Sequence, residues 1–408
     1  MTTTQRPMAG SDREVVALAA DLVRIDSSNP TLAPHGAGES TIADYCAAWL
    51  STRGFTTTRL ESTPGRPSIL ATGAGRGGGR SIMLNGHLDT VSLAGYDGDP
   101  LDPVVDDGRL HGRGSYDMKA GIAAMLVAAA RAHHHPHAGD VVLALVADEE
   151  DASIGTEEVL THLRAIGTEI DAAVVAEPTG LDLVTCHKGF VWADVTLTGV
   201  AAHGSRPDLG VDAITKAGAF LTGLDRLASD LGTRPGHPVL GAGSVHAGVI
   251  DGGQETSSYP DRCRITVERR TVPGEDTAVF EAELRAILDP IIAAQPGLGA
   301  TVAMGLERRP LDGDPTRGIT PTLNTSVADV TGRPARQRGE AFWTDAALLA
   351  DAGIPAVLFG VDGAGAHAST ELVDLGSLHD SARAMERAIT AWTGRAGTNN
   401  DTRDRSEH

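Results

Sequence analysis

The sequence predicts an α/β protein of two domains: an open sheet flanked by helices, and a smaller ferredoxin-like α+β unit inserted into it. Three observations point there. At 408 residues the chain is longer than one hydrophobic core normally supports. As far as Thr179, short apolar runs alternate with stretches of helical periodicity, the signature of βα units. Beyond Thr179 the pattern changes to strict alternation, as in Phe190-Val-Trp-Ala-Asp-Val-Thr-Leu-Thr198, which suits antiparallel strands with one wet face.

In chain order, Asp12 to Ile25 carries apolar residues at three- and four-residue spacing behind a Ser11 or Asp12 cap, and Ser40 to Arg53 repeats the pattern before Gly54. Thr56 to Leu60 and Ser68 to Thr72 alternate as a strand pair. The glycines at 73, 75, 77, 78 and 79 form a loop; no helix start and no Lys-Ser/Thr follows them, so a phosphate cradle is not indicated. Ile82-Met-Leu84 reads as a short buried strand that Asn85-Gly86 ends. Asp97 to Asp107 reads as a surface loop, Leu110-His111 as a short strand, and Ala120 to Ala130 as a helix. The histidines at 133, 134, 135 and 137 fall in a proline-broken loop and are expected on the surface. The strand from Val141, the helix Thr156 to Ile166 and the strand ending at Glu177 complete a βαβ unit.

Phe190–Thr198, a helix from Asp212 to Asp230, strands Gly243–Ile250 and Asp261–Arg270, a helix from Thr277 to Ala293 and a strand near Thr301–Leu306 follow in ferredoxin-like order. The expected domains are therefore 1–180 with 301–396, and an insertion at 181–300. Helices from Pro321, Thr344 and Ser377 and a strand at Ile354–Phe359 return to the first domain, and residues 397–408 are expected to be a disordered tail.

Composition removes several classes of function. Lys plus Arg total 34 against 54 for Asp plus Glu, a formal charge of -20, and this excess opposes nucleic-acid and anionic-membrane partners. Cys46, Cys186 and Cys263 are too far apart to frame a thiolate metal site or a disulfide scaffold. No signal-peptide core and no apolar run of membrane-spanning length occurs, so a cytoplasmic location is expected.

Several predicted strands and turns end in residues that bind metal or move protons. Gly-His87-Leu-Asp89 follows the first buried strand; in extended chain the two side chains share a face, where the carboxylate can hold a metal-bound imidazole. Gly-Arg-Gly-Ser-Tyr-Asp117-Met-Lys precedes a helix, Asp-Glu149-Glu150-Asp ends the Val141 strand, Glu177-Pro-Thr ends the next, and His367 follows the Ala356 strand through a glycine-rich turn. Sites in open α/β sheets form beyond the carboxyl ends of the strands, so these segments are placed to converge.

Taken in order, with Ala-His367 four residues before Glu371, these motifs resemble the di-zinc deacylases and carboxypeptidases, the family of acetylornithine deacetylase, succinyl-diaminopimelate desuccinylase, aminoacylase and glutamate carboxypeptidase. The resemblance runs from about Asp12 to Trp392 and is nearest the acetylornithine deacetylase-like branch. It implies a mixed-sheet catalytic domain holding two divalent metal ions, zinc with cobalt or manganese as alternatives, and an inserted lid and dimerisation domain. Asp117 is then the bridging carboxylate, His87 and Glu177 complete one metal site, and Glu150 and His367 the other. Asp89 orients His87, and Glu149 is the proton shuttle for a metal-bridging hydroxide. His203, in Gly199-Val-Ala-Ala-His203, matches the family's oxyanion-stabilising histidine, and Arg270, or its neighbour Arg269, the arginine that grips the substrate carboxylate. Asp212 replaces a common asparagine, and Ser257 and Ser258 stand where another is frequent, so substrate preference does not transfer from one named relative.

The resemblance implies hydrolysis of an N-acyl amino acid by a homodimer. A metallo-carboxypeptidase or dipeptidase is the nearest alternative, and a non-catalytic metal- or amino-acid-binding protein a more distant one. The last has no use for Glu149, which is not a ligand in this scheme.

Overall fold

The computed structural model describes residues 10–394, so the predicted tail at 397–408 lies outside the described residues. Two compact units separate along the chain. One comprises the chain up to Thr185, Gly313–Arg338 and the chain from Leu348; the other comprises Cys186–Asp312 and Gly339–Ala347. Among the described residues no helix is long and apolar enough to cross a membrane.

The first unit is built on a mixed sheet whose strands lie in the order Thr56–Leu60, Ser68–Gly73, Val141–Val146, Ile82–His87, Ala173–Val175, Ala356–Leu358 and Leu183–His187. The first three are antiparallel, the Val141, Ile82, Ala173 and Ala356 strands run parallel, and Leu358 pairs antiparallel with Val184. Every residue of Ile82–His87 and Val141–Val146 is buried, as expected of parallel strands covered on both faces. Helices Gly10–Val23, Ala120–His133 and Leu375–Thr393 pack together over the sheet. The Ala120–His133 helix is buried along most of its length, and its alanines allow the close approach.

Two local expectations are corrected here. Asn85-Gly86 does not end the first parallel strand: pairing with Val141–Val146 continues to His87 opposite Val146. A Cβ at Gly86 would meet the Met118 Cε at 2.9 Å and the Met125 Cε at 3.1 Å, the ends of two flexible side chains that pack over the strand. Nor are all four histidines on the surface. His133 ends its helix with its ring 4.7 Å from that of Phe55, and its Nδ1 lies 2.8 Å from Nε2 of the buried His137, whose Nδ1 donates to the Gly139 carbonyl at 2.7 Å. The predicted 97–107 loop ends in a strand, Val104–Asp106, which joins Arg109–His111, Leu372–Asp374 and Gly363–Ala364 in a small antiparallel sheet.

In the second unit the strands lie in the order Ser244–Gly252, Arg262–Thr271, Gly189–Thr198, Gly299–Arg308, all antiparallel, with helices Ala213–Thr233 and Thr277–Ala293 between them in the chain. This is the ferredoxin-like order. Val191, Ala193, Val195 and Leu197 alternate into a core with Phe220, Leu224, Phe280 and Leu284. Both helices start at an aspartate: Asp212 accepts from the Thr215 N–H and Asp276 from that of Val279. The boundaries differ from 181–300, because the Gly299–Arg308 strand pairs with Gly189–Thr198 and carries the unit on to Asp312.

Candidate metal centre

His87 sits at the end of its strand, 2% exposed. Its Nδ1 lies 2.9 Å from the main-chain carbonyl of Asp89 and 3.5 Å from that residue's carboxylate. A carbonyl only accepts, so Nδ1 carries the hydrogen and Nε2 is directed into the site. Nε2 is 3.2 Å from one oxygen of Asp117, and the other Asp117 oxygen is 3.4 Å from Nε2 of His367. One carboxylate thus stands between two imidazoles. Burial opposes ionisation of Asp117, but the two rings pull it far below the usual carboxylate range.

His367 also lies 3.0 Å from Glu150. Asp117, then Glu150, lifts its pKa to about 10. It is half exposed on the turn between Gly363–Ala364 and Leu372–Asp374, with φ of +62°. Burial, with Asp117 next, raises the Glu150 carboxyl, and its second oxygen is buried without a hydrogen-bond partner. The donor atoms of His87, Asp117 and Glu150 lie within 4.8 Å of one another, and so do those of His87, Glu149 and Glu177. Acidic groups crowded this closely repel one another, and an orphaned carboxylate oxygen adds to the cost. Two imidazoles and the carboxylates around them are a donor set that divalent zinc, cobalt or manganese satisfies, so the residues fit the implied metals.

The carboxylate of Glu149, expected to serve as the proton shuttle, faces the same space as the ligand residues, beside His87 and Glu177. The strand ends at Val146 and the chain turns at Asp148, whose φ is +67°, so strict alternation no longer governs the next side chains. Asp89 holds that turn. It is fully buried and accepts the main-chain N–H groups of Glu149 at 3.1 Å and Glu150 at 3.2 Å, together with Asn29 Nδ2 at 2.8 Å. The carboxylate expected to orient His87 therefore also fixes the acidic pair.

Residues that the sequence reading passed over lie behind this turn. Asn29 Nδ2 also reaches Asp148, at 3.0 Å. Arg66 makes two 2.7 Å contacts with Glu39 and a third with Asp148. Nothing in Pro-Gly-Arg66-Pro-Ser marks this role; a buried Arg–Glu pair becomes visible only when two distant segments meet. Glu371 is another: quoted in the sequence only as a marker near His367, it accepts from the turn that carries Asp117.

His203 and Arg270 belong to the second unit. His203 lies on the short strand Ala202–His203 paired with Ser258–Tyr259; it is exposed, and its Nδ1 lies 2.8 Å from the Ser205 hydroxyl. Arg269 and Arg270 point to opposite faces of their strand. Arg269 is 1% exposed and is occupied by Glu275, Glu283 and the Arg270 carbonyl. Arg270 is a third exposed, stacks over Phe190 and uses its Nε on Glu268 at 2.7 Å.

Comparison with known proteins agrees with this picture. The profile of Peptidase family M20/M25/M40 matches residues 83–391. The chain is 30% identical to an acetylornithine deacetylase from Myxococcus xanthus over 86% of its own length and 92% of the relative's. It is 34% identical to a succinyl-diaminopimelate desuccinylase from Cereibacter sphaeroides over 62% and 67%. Among solved structures, a tripeptidase from Staphylococcus aureus shares the fold at a TM-score of 0.76 and 21% identity, covering 94% of this chain and 98% of that one. A dinuclear metal-binding peptidase from Bacillus subtilis does so at 0.69 and 15%, covering 94% and 98%. The chain belongs to peptidase family M20/M25/M40 and is one of its metal-dependent amidohydrolases.

Proposed function

We propose that the protein hydrolyses the amide bond of an N-acyl amino acid, releasing a carboxylate and a free amine. The observation that carries this is Asp117 standing between the imidazoles of His87 and His367, with Glu149 and Glu150 facing the same space. His87, Asp117 and Glu177 would hold one divalent cation, and Asp117, Glu150 and His367 the other, with zinc the expected metal. When bound, such cations polarise an amide carbonyl and acidify water. Glu149 takes the proton of the attacking water and hands it to the departing nitrogen, a role worth ~10²–10⁴-fold in rate. Asp89 keeps Glu149 in position through its main-chain N–H. His203 donates to the developing oxyanion. Arg270 pairs with the substrate carboxylate through the terminal nitrogens that Glu268 leaves open, whereas the partners of Arg269 occupy its whole guanidinium. The second unit acts as lid and dimerisation domain. Its edge strand Ser244–Gly252 exposes Val249 and Ile250 at 61% and 55%, which supports pairing with a second copy.

The acetylornithine deacetylase and the succinyl-diaminopimelate desuccinylase act on acylated amino acids by name, and this likeness supports a deacylase ahead of a dipeptidase. The test strips the protein with a chelator, restores zinc alone, and assays N-acetyl and N-succinyl amino acids beside dipeptides. Turnover confined to dipeptides overturns the substrate class. Glu149→Gln is expected to keep its metal and lose at least ~10²-fold in turnover; full activity in that variant removes the proton-shuttle role.

A further inference from the structure

His367 is exposed on a turn, yet its ring must keep a fixed distance from an Asp117 that lies 250 positions earlier in the chain. Glu371 provides a physical link between the two. It is 1% exposed, and the four groups that its carboxylate meets are all donors. One carboxylate oxygen accepts the main-chain N–H of Tyr116 at 3.0 Å and of Asp117 at 2.9 Å; the other accepts the Gly114 N–H at 2.9 Å and Arg113 Nη1 at 3.0 Å. Four donors fill the lone-pair capacity of a carboxylate. Arg113, 3% exposed, turns its second nitrogen to the carbonyl of Ala368, the residue after His367, at 2.8 Å. The main chain closes the loop from the other side: the Gly112 N–H and the Tyr96 hydroxyl both donate to the Glu371 carbonyl.

We propose that Glu371 and Arg113 form a clamp that positions the Asp117 turn and the His367 turn against each other, and that uptake of the second divalent cation depends on it. This rests on the two-cation reading given above. Neither residue is a ligand: the Glu371 oxygens are saturated by donors from the protein, and the Arg113 guanidinium carries no lone pair to offer. They act through the residues they hold. Glu371→Gln tests the clamp sharply because it conserves shape. The amide has one acceptor oxygen and one NH₂, and since all four partners donate, no amide orientation satisfies more than one pair; the NH₂ faces the other pair.

The experiment is calorimetric titration of metal-free, full-length protein with Zn²⁺, supported by chelator competition, and it needs no substrate. Wild type is expected to take two equivalents. Glu371→Gln is expected to keep the first and bind the second 10–100-fold more weakly, the usual cost of losing an outer partner of a metal ligand. If both equivalents bind Glu371→Gln as tightly as wild type, the proposal fails, even if that variant melts earlier, because a purely structural role lowers the melting temperature and leaves metal uptake intact. Should Glu371→Gln not fold, Arg113→Lys decides. It keeps the charge, but a single ammonium cannot span Glu371 and the Ala368 carbonyl as a fork does. About tenfold weakening of the second equivalent is expected there, and no change overturns the clamp. Wild type binding no divalent cation sinks the reading of the centre itself, and the clamp with it, a result distinct from a wild type that binds two beside an unaffected variant.

Discussion

Replacing Arg66 by Met removes the cation that pairs with two buried carboxylates, those of Glu39 and Asp148. In the wild type, Arg66 lies in the loop between the Thr56–Leu60 and Ser68–Gly73 strands and makes three 2.7 Å contacts, two with Glu39 and one with Asp148. The side chains of Glu39 and Asp148 are 0% and 3% exposed, so water cannot take over. Removing one partner of a buried ion pair costs ~3–5 kcal/mol, a large share of a net stability of ~5–15 kcal/mol. The loss depends on pH with a definite sign. Burial already raises the Glu39 carboxyl above 4.5, against the pull of Arg66, and without Arg66 it rises further. A carboxyl whose folded pKa exceeds its unfolded value binds more protons when folded, so its contribution is lost as pH climbs above 4.5. Urea unfolding followed by the fluorescence of the buried Trp392 should therefore show a larger Arg66→Met deficit at pH 8 than at pH 5. A deficit below ~1 kcal/mol, or one equal at both pH values, refutes the electrostatic account of this cluster.

Four other outcomes follow from the same structure. Burial depresses His187 to about 4, so below pH 6.5 the unfolded chain takes a proton that the folded chain refuses; stability should drop by up to ~3 kcal/mol between pH 6.5 and 4, and His187→Gln should flatten that slope in urea titrations. Gly121 opens the helix beside the strand end that carries Glu177, and a Cβ there would lie 2.1 Å from the Ala176 carbonyl oxygen, so Gly121→Ala should cost ~1–3 kcal/mol and reduce bound metal. By contrast, a Cβ at Gly218, inside the Ala213–Thr233 helix, meets nothing within 4 Å, and Gly218→Ala should stabilise by up to ~1 kcal/mol; the same sign in both variants, measured by urea midpoints, would contradict the packing analysis. Val249→Lys with Ile250→Lys should turn the proposed dimer into a monomer in sedimentation runs while leaving metal uptake unchanged, and an unaltered association state refutes pairing through this edge.

Periodicity read the fold well because burial on one or both faces constrains residue type locally. Val141–Val146 and Gly189–Thr198 could hardly be anything but a buried strand and a half-buried strand, and the structure has them so. The boundary at Ala300 was less legible: Gly299–Arg308 carries an alternation that either unit might accommodate, and only its pairing with Gly189–Thr198 assigns it. Asn85-Gly86 misled for a related reason. These are turn-forming residues by preference, but a parallel neighbour on each side of Asn85, and the Val141–Val146 strand beside Gly86, hold the chain extended through them.

The sequence by itself determined the fold class, the order of the motifs and the chemical kinds of residue at the strand ends, since these depend on local pattern and residue type. Tertiary structure alone decided that Glu149 shares the space of His87 and Glu177, that Arg270 and not Arg269 keeps an open face, and that Asn29, Glu39 and Arg66 stand behind the acidic turn. Those facts are distances between segments far apart in the chain. A residue carries no mark of its remote partner until folding excludes water and leaves the charge of each to be balanced by the other.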